Sequence, residues 1–328
     1  MKIADGLWLL LIPLLLMPTA GCPTDPRGVF DDGEPDPDDL TDDDDSTDPV
    51  DVDCTSLPDP PLVERTLDGP RATKGLAIGS DGRVVGSDDS SLIKSTYDGD
   101  WEVFLPGIGT VEGMLYLPDG DLVITSSWDE GDLRRISPDG GITVIASALL
   151  AYSVIQGPDG MLYAAGWDGA FRVDPDTGAV DTLIASGWDD PWSPRTLAFS
   201  EDGSRLFVGT VDEDGRIFVF DLDEDFEPTG PPAVHVTGVG NGWHDGLGID
   251  ACGNLWTVDF ESSSLYRVSP EGDIDRMVDW SSNPSQFGHG LIWGSGTGGW
   301  RSDALYLPVP EGGDVVKEVI IGVPEANR

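Results

Sequence analysis

Basic residues are scarce in this chain of 328 residues: 18 lysines and arginines stand against 61 acidic residues, a formal net charge of −43. Residues 61–328 hold 45 of the acidic residues and 16 of the basic ones, so this part alone carries −29. A surface this negative repels nucleic acid and anionic lipid headgroups. Neither is expected as a partner, whereas a cationic ligand, or simple solubility, agrees with the charge.

Amphipathic helical segments and long apolar runs are also missing. The one extended apolar run, residues 6–17, is too short and too poorly flanked to span a membrane. It is typical instead of the hydrophobic part of an export signal. An ordinary signal peptide cleaved near Ala20 is one interpretation of this region.

Residues 18–22 follow the apolar run and read Pro-Thr-Ala-Gly-Cys. They resemble the lipobox of bacterial lipoproteins, although Thr19 stands where leucine is commonest. The resemblance implies that residues 1–21 are a lipoprotein signal peptide and that Cys22 is lipidated. We therefore expect a protein of the bacterial cell envelope, on its extracytoplasmic side. It would be held at the outer membrane or cell surface and would touch the membrane only through this lipid anchor.

Aromatic residues are nearly absent from residues 22–60, which are rich in proline and aspartate. Thirteen acidic residues lie between Asp31 and Asp53. Such a segment buries too little apolar surface to offset its ordering entropy, and its charges repel one another. We predict a disordered acidic linker that tethers a folded domain. A calcium-binding role is the alternative, although the spacing of the acids matches no recognised calcium loop.

Cysteines number only three, so each can be assigned separately. Cys22 is taken by the anchor, which leaves Cys54 at the end of the tether and Cys252 within the repeats described next. In an oxidising envelope we expect these two to form a disulfide that closes a very long loop. Two free thiols are the alternative.

From residue 71 onward the chain repeats one pattern six times. Each copy has an apolar strand, a turn that contains glycine, a second apolar strand, and a third strand that ends in a turn. One charged or polar residue stands at the start of the first strand in every copy. These six residues are Lys74, Glu112, Tyr152, Arg195, Asp245 and His289.

A period of about 40 residues with short strands and Asp-Gly turns is typical of β-propeller blades. Because one blade cannot bury both of its faces alone, the copies must stack around an axis. We predict an all-β fold over residues 61–328. It is a single six-bladed β-propeller, expected to be monomeric, with a strand at residues 63–67 that closes the ring beside the last blade.

The innermost strand of each blade lines the central channel of a propeller, so the six residues should form a ring at the channel mouth. Convergent polar groups in a concavity are the default candidates for a ligand site. We predict that Asp245 and His289 are catalytic. The other predicted binding residues are Lys74, Glu112, Tyr152, Arg195 and the neighbouring His244. The alternative is a rim on which the two cations of the ring pair with its two carboxylates.

Histidine is rare, yet His244 and His289 both fall at or beside this ring. With Asp245 they could hold a metal or act as general acid and base. The alternative for His244 is a structural histidine that bonds a backbone carbonyl between blades. His235 lies in a proline-rich loop and is expected to take no part.

Residues 245–250 (Asp-Gly-Leu-Gly-Ile-Asp) and 252–256 (Cys-Gly-Asn-Leu-Trp) resemble the fifth-blade motif of the regucalcin/gluconolactonase family of six-bladed propellers. NHL-type blades resemble them more loosely. In that family the aspartate matching Asp245 binds a divalent metal and acts in lactone hydrolysis. At the level of the repeats the resemblance covers residues 71 to about 320. The His-Gly-Leu of residues 289–291 also resembles the streptogramin B lyases, which have seven blades.

The rest of that family's metal site does not carry over. Lys74 aligns with a metal-binding glutamate, Arg195 with a metal-binding asparagine, and Tyr152 with a substrate-binding asparagine. A metal ion between two positive charges is strongly repelled at low dielectric, so the resemblance does not imply a metal in the family's position. An alternative site for a divalent metal, calcium or zinc, would consist of Glu112, Asp245 and His289.

Two functions agree with these observations. The first is a non-catalytic binding or scaffold module that holds a small molecule or an envelope protein at the channel mouth. The alternative is a metal-dependent hydrolase, a lactonase with a rearranged metal site, so the sequence leaves open whether the protein is an enzyme. A further possibility is that three tryptophans in loops stack on sugars rather than covering blade edges: Trp188, Trp192 and Trp243.

Overall fold

The computed structural model describes residues 52–328 apart from residues 89, 126–130, 186–192, 284–287, 311–312 and 327–328. The predicted signal peptide, the lipidation of Cys22, and most of the predicted tether lie outside the described residues. So do two of the three loop tryptophans, Trp188 and Trp192. Within the described part, regular structure consists of β-strands, and no helix there has the length and apolarity needed to cross a membrane.

The strands form six sheets of four strands each, which is the all-β, six-bladed propeller predicted from the repeats. Blades 1 to 3 follow one another along the chain. Blade 1 has β2 (Leu76–Ile78), β3 (Val84–Ser87), β4 (Ser91–Ser95) and β5 (Trp101–Pro106). Blade 2 has β6 (Met114–Tyr116), β7 (Leu122–Thr125), β8 (Leu133–Ile136) and β9 (Ile142–Ala146). Blade 3 has β10 (Ala151–Gln156), β11 (Leu162–Gly166), β12 (Gly169–Val173) and β13 (Val180–Ala185).

Blades 4 and 5 repeat this order, and blade 6 borrows one strand from the start of the domain. Blade 4 has β14 (Ser193–Phe199), β15 (Arg205–Val211), β16 (Ile217–Asp221) and β17 (Ala233–Val236). Blade 5 has β18 (His244–Ile249), β19 (Leu255–Asp259), β20 (Ser264–Val268) and β21 (Ile274–Asp279). Blade 6 has β22 (Ile292–Trp293), β23 (Ala304–Val309), β24 (Val315–Ile320) and, outermost, β1 (Glu64–Arg71).

Asp-Gly turns join the first and second strands of several blades, at the end of the channel opposite the mouth. In blade 2, Gly120 takes φ 91°, a left-handed conformation that glycine adopts without strain. The carboxylate of Asp119 accepts a hydrogen bond from the backbone N–H of Asp121 at 3.1 Å. The same Asp side-chain bond recurs in blade 3, where Asp159 accepts from the backbone N–H of Met161. The turn chemistry therefore sets where each innermost strand ends.

Apolar side chains fill the spaces between neighbouring blades. Blades 6 and 1 pack around Trp300, whose indole Nε1 donates to the carbonyl oxygen of Gly82 at 2.9 Å. Blades 5 and 6 pack around Trp256 and Trp293, both buried. Large aromatic rings contribute the most buried apolar area per residue. The core is thus a circle of interblade clusters around the channel.

The ring closes through β1, which pairs antiparallel with β24 and so joins the first residues of the propeller to its last strand. Ahead of β1, Cys54 forms the predicted disulfide with Cys252 of blade 5, with the two Cα atoms 5.5 Å apart. The carbonyl oxygen of Pro58 accepts from Arg267 at 3.2 Å. Residues 52–60, assigned from the sequence to the tether, therefore lie against blade 5 in the structure.

The C-terminal segment lies beside the end of β18, away from the mouth. Ala326 donates its backbone N–H to Ile249 at the end of β18, and Ala251 donates to Pro324. Glu325 lines the central cavity beside Trp293.

Candidate functional site

The innermost strands of the six blades enclose a central cavity of about 500 Å³. Four of the six predicted ring residues line it: Lys74, Glu112, Tyr152 and Asp245. The other two stand beside lining residues, Arg195 before Thr196 and His289 before Gly290. The structure therefore brings the predicted ring to one end of the channel.

Three consecutive blades present their ring residue on a β-bulge. The pairing of the first strand with the second skips one residue in each of blades 3, 4 and 5, and the skipped residues are Tyr152, Arg195 and Asp245. A bulge leaves the extra residue out of the ladder and redirects its side chain. This local irregularity turns all three side chains toward the mouth.

The first of two ion pairs at the mouth joins blades 1 and 2. Lys74 Nζ donates to Glu112 Oε1 at 2.9 Å. The lysine side chain is 28% exposed and the glutamate side chain 4%. The buried carboxylate is thus compensated by a cation that lies nearer to solvent.

The second ion pair joins blades 4 and 5. Arg195 Nε donates to Asp245 Oδ1, and both side chains are buried. The guanidinium stacks on the ring of Tyr152, 3.8 Å from its centroid, and lies 5.2 Å from the ring of Trp243. Trp243 Nε1 also donates to Asp245 Oδ1 at 3.0 Å. Arg195 is therefore held in one position by a carboxylate and two aromatic rings.

His289 completes this cluster. Its Nδ1 lies 2.9 Å from Asp245 Oδ2, and its ring packs at 4.9 Å from that of Phe260. Burial alone raises the pKa of Asp245, but the charge of Arg195 and the contact with His289 outweigh it and hold the pKa below the usual value. Asp245 is therefore a carboxylate at neutral pH.

Two polar atoms of this cluster, Arg195 Nη1 and Asp245 Oδ2, are buried without a hydrogen bond to the described residues, and Nη1 is the donor of the two. Arg195 Nη1 is buried and has no hydrogen-bond partner among the residues that the structure describes. Buried N–H groups of a guanidinium are nearly always paired, because leaving one unmade forfeits its hydration. An acceptor from outside the chain would satisfy this donor.

His244, predicted as a binding residue, lies away from the mouth. It is fully buried, its Nδ1 accepts the backbone N–H of Thr210 at 3.3 Å, and its Nε2 lies 3.1 Å from the carbonyl oxygen of Val239. This pattern fits a neutral imidazole with its proton on Nε2. Burial lowers the pKa of His244, more than the nearby carboxylates raise it. The residue has the structural role that was the alternative.

A divalent metal does not fit the residues at the mouth. No group of three His, Cys, Asp or Glu side chains among the described residues is arranged to hold one. The site predicted from Glu112, Asp245 and His289 does not form, because Glu112 is paired with Lys74 and Asp245 with Arg195. A metal would have to displace a guanidinium from Asp245, so no chemistry here is assigned to it.

Two tryptophans belong to the site in ways that the sequence argument missed. Trp243 is half-buried, and its bond to Asp245 makes it a support of the charged cluster rather than an exposed platform for sugars. Trp167, at the turn between β11 and β12, is 45% exposed and packs against Tyr152 with ring centroids 5.5 Å apart. Its place in a turn on the mouth side was the signal that could have found it.

The comparisons with known proteins point to the part of the chain that contains this cluster. Residues 188–289 match the family described as the SMP-30/Gluconolactonase/LRE-like region, a stretch that contains Arg195, Asp245 and His289. No curated protein matches the chain significantly.

Among solved structures, a gluconolactonase from Xanthomonas campestris is 16% identical, with 80% of this chain and 89% of that chain covered and a TM-score of 0.64. Regucalcin from Agrobacterium tumefaciens, a calcium-binding protein, is 18% identical, with 82% and 96% covered and a TM-score of 0.62. An auxiliary nutrient binding protein from Bacteroides thetaiotaomicron is 13% identical, with 76% and 69% covered and a TM-score of 0.59. At these identities the likeness shows the fold. The chain is a six-bladed β-propeller with an SMP-30/gluconolactonase/LRE-like region at residues 188–289, which confirms the resemblance predicted from its fifth blade.

Proposed function

We propose that the protein is a lactonase-like hydrolase that opens a small neutral lactone or ester at the channel mouth, without a divalent metal. The match of residues 188–289 to a gluconolactonase-containing family supports the reaction class. The observation that carries the proposal is the contact of 2.9 Å between His289 Nδ1 and the carboxylate of Asp245. A histidine oriented by a buried carboxylate is a common general base.

We place the imidazole proton on Nδ1, which faces Asp245 at 2.9 Å, so that His289 takes a proton from water at Nε2. The resulting hydroxide attacks the carbonyl carbon and forms a tetrahedral adduct. The ring C–O bond then breaks, and the proton returns from Nε2 to the departing oxygen, which gives the hydroxy acid. Because Nε2 is buried in this structure, the substrate has to displace neighbouring side chains to bring water to it.

The test is hydrolysis of a panel of γ- and δ-lactones, including glucono-δ-lactone, followed by pH-stat with and without a chelator. We expect turnover that the chelator leaves unchanged, and a loss of about 10²–10⁴-fold in kcat for His289→Gln. Asp245→Asn should also lower kcat, because an amide no longer orients the imidazole as the carboxylate does. His235→Gln, on the outer strand β17, is the matched control.

Absence of turnover across the panel would contradict the proposal. So would full activity of His289→Gln, or activity that only an added metal restores.

A non-catalytic binding module is the second candidate. Both ion pairs of the mouth are already made, and the ring of His289 is only 12% exposed, which suits retention of a ligand better than turnover. In that case a lactone would raise the melting temperature of the protein and be recovered intact.

An envelope location is part of the proposal. Residues 18–22 support a lipid anchor at Cys22, and the disulfide between Cys54 and Cys252 is typical of an oxidising compartment. We also propose a monomer that binds neither nucleic acid nor anionic lipid surfaces, as the charge of −43 favours. Recovery of the full chain in the membrane fraction, and of Cys22→Ser outside it, is the expected result, while equal recovery of both in the membrane fraction would contradict it.

A further inference from the structure

We infer that Arg195 is a built-in cation that takes the place of a metal ion at Asp245, and that its Nη1 binds the carbonyl oxygen of a neutral lactone or ester. The substrate class rests on the proposed function, but the binding step does not require turnover. Arg195, whose positive charge opposes a metal ion in the family's position, would thereby determine which ligand binds.

Arg195 is fixed before any ligand arrives. Its Nε bonds Asp245, and its guanidinium stacks on Tyr152 at 3.8 Å and faces Trp243 at 5.2 Å. A bulge in β14 sets the backbone from which it projects. A guanidinium fixed by these three contacts points its remaining N–H groups in set directions, so binding a ligand costs little further side-chain entropy.

Nη1 is the donor left over from this arrangement. The Arg195 side chain is 9% exposed, and Nη1 is buried without a hydrogen-bond partner in the described part of the chain. Such an atom loses its hydration and gains nothing in return unless an acceptor is supplied. The acceptor it fits is an oxygen atom, since a guanidinium has donors only.

Charge balance selects a neutral ligand. Arg195 is neutralised by Asp245 and Lys74 by Glu112, so the two cations among the six ring residues are matched by its two carboxylates. A ligand carboxylate would add an unbalanced negative charge to a domain that is already strongly acidic. A carbonyl oxygen accepts the charge-assisted bond without upsetting this balance, and the guanidinium polarises the carbonyl toward attack.

The same geometry shuts a metal out. A guanidinium carries a permanent positive charge in proteins, so a metal ion that approaches Asp245 meets a fixed cation. Calcium would have to pull Asp245 away from Arg195, Trp243 and His289 together.

The test uses ¹⁵N-labelled full chain and the arginine Nη resonances of Arg195, assigned by their loss in Arg195→Lys. The probe is δ-valerolactam, a neutral ring with a carbonyl that resists hydrolysis, and tetrahydropyran, which lacks the carbonyl, is the matched control. We expect the chemical shifts of the Arg195 signals to change when the lactam is added and to remain unchanged when the ether is added. Arg195→Lys should weaken lactam binding at least tenfold, whereas Arg205→Lys, exposed at the start of β15 at the end of blade 4 away from the mouth, should leave it unchanged.

Arg195 signals that do not move at saturating lactam would overturn the inference and would mean that an ordered water alone satisfies Nη1. Equal binding of the ether, or unchanged lactam affinity in Arg195→Lys, would also overturn it. A shift of the Arg195 signals on addition of calcium would overturn the replacement of the metal. Lactam binding at Arg195 without turnover of any lactone would leave the inference standing while the hydrolase proposal fails. If Arg195→Lys kept both its turnover and its full lactam affinity, the inference would fail while the hydrolase proposal stood.

Discussion

Lys317 and Glu64 form an ion pair of 2.6 Å across the two strands that close the propeller, and the lysine is completely buried. Trp280 of blade 5 takes part, because its Nε1 donates to the same carboxylate and its ring lies 5.2 Å from the ammonium. Burial lowers the pKa of Lys317, more than Glu64 raises it. The closure thus depends on a charge that has no access to water.

Removing the carboxylate is predicted to cost far more than removing the whole pair. Glu64→Ala leaves the ammonium buried and uncompensated, and should lower the free energy of unfolding by about 3 kcal/mol or more. Glu64→Ala combined with Lys317→Met removes both charges and should recover most of that loss. Urea denaturation of the wild type, Glu64→Ala, Lys317→Met and the double variant, read as a double-mutant cycle, measures the coupling. A double variant no more stable than Glu64→Ala would contradict this account.

The disulfide between Cys54 and Cys252 is predicted to be a major support of the domain. Its sequence separation is 198 residues, and it holds the segment ahead of β1 against blade 5. Loops of this length are the case in which a cross-link most restricts the unfolded chain, about 5 kcal/mol in the entropy model. Cys54→Ser should lower the free energy of unfolding by about 2–5 kcal/mol.

Thermal unfolding with and without a thiol reductant provides the check. The reductant should lower the melting temperature of the wild type but leave that of Cys54→Ser/Cys252→Ser unchanged, because no bridge remains to be reduced. Identical melting temperatures for the wild type in both conditions would argue against the bridge.

The repeat pattern was sufficient to predict the fold and the place of the ring, because strand period and turn residues determine where each innermost strand begins. His244 stays in the ladder opposite Asp259 and enters the interblade core, whereas the bulge at Asp245 turns the next side chain toward the mouth. The bulges were not predicted, because one extra residue in a strand does not produce a recognisable repeat in the sequence. Their indirect signal is glycine in the opposing strand, at Gly166 and Gly209.

The chemistry of the mouth was harder to predict than its location. The sequence left open whether Lys74 and Arg195 pair with Glu112 and Asp245 or surround a ligand. Which pairs form depends on distances between adjacent blades, and those depend on three-dimensional packing. The same holds for the predicted metal site, since each of its carboxylates has a cation within reach in the structure.

Stability is predicted to fall on mild acidification because of His244. Its folded-state pKa is lowered by burial, so between that value and the usual 6.5 the unfolded chain binds a proton that the native chain does not. The stabilisation by neutral His244 is therefore fully present above pH 6.5 and is lost as the pH falls below it. The slope should approach about 1.4 kcal/mol per pH unit.

Urea unfolding between pH 5 and pH 7.5 measures this slope, and His244→Gln should flatten it. His235 is the control. Its pKa is also lowered by burial and by Arg205, but it is only half-buried, so His235→Gln should remove a smaller part of the slope. A wild-type stability that does not change over this range would show that His244 is protonated in the native state.

Gly166→Ala is predicted to disturb the site from the second strand of blade 3. A Cβ at residue 166 would overlap the carbonyl oxygen of Leu150, at the bulge that presents Tyr152. Because overpacking typically costs about 1–3 kcal/mol, the free energy of unfolding should fall by that amount. Tyr152 should also shift against Arg195, and the Arg195 side-chain resonances should move.

Gly230→Ala, where a Cβ meets nothing, is the matched control and should stay within about 0.5 kcal/mol of the wild type. Equal stability of both variants would mean that the bulge yields to a methyl group and does not fix Tyr152.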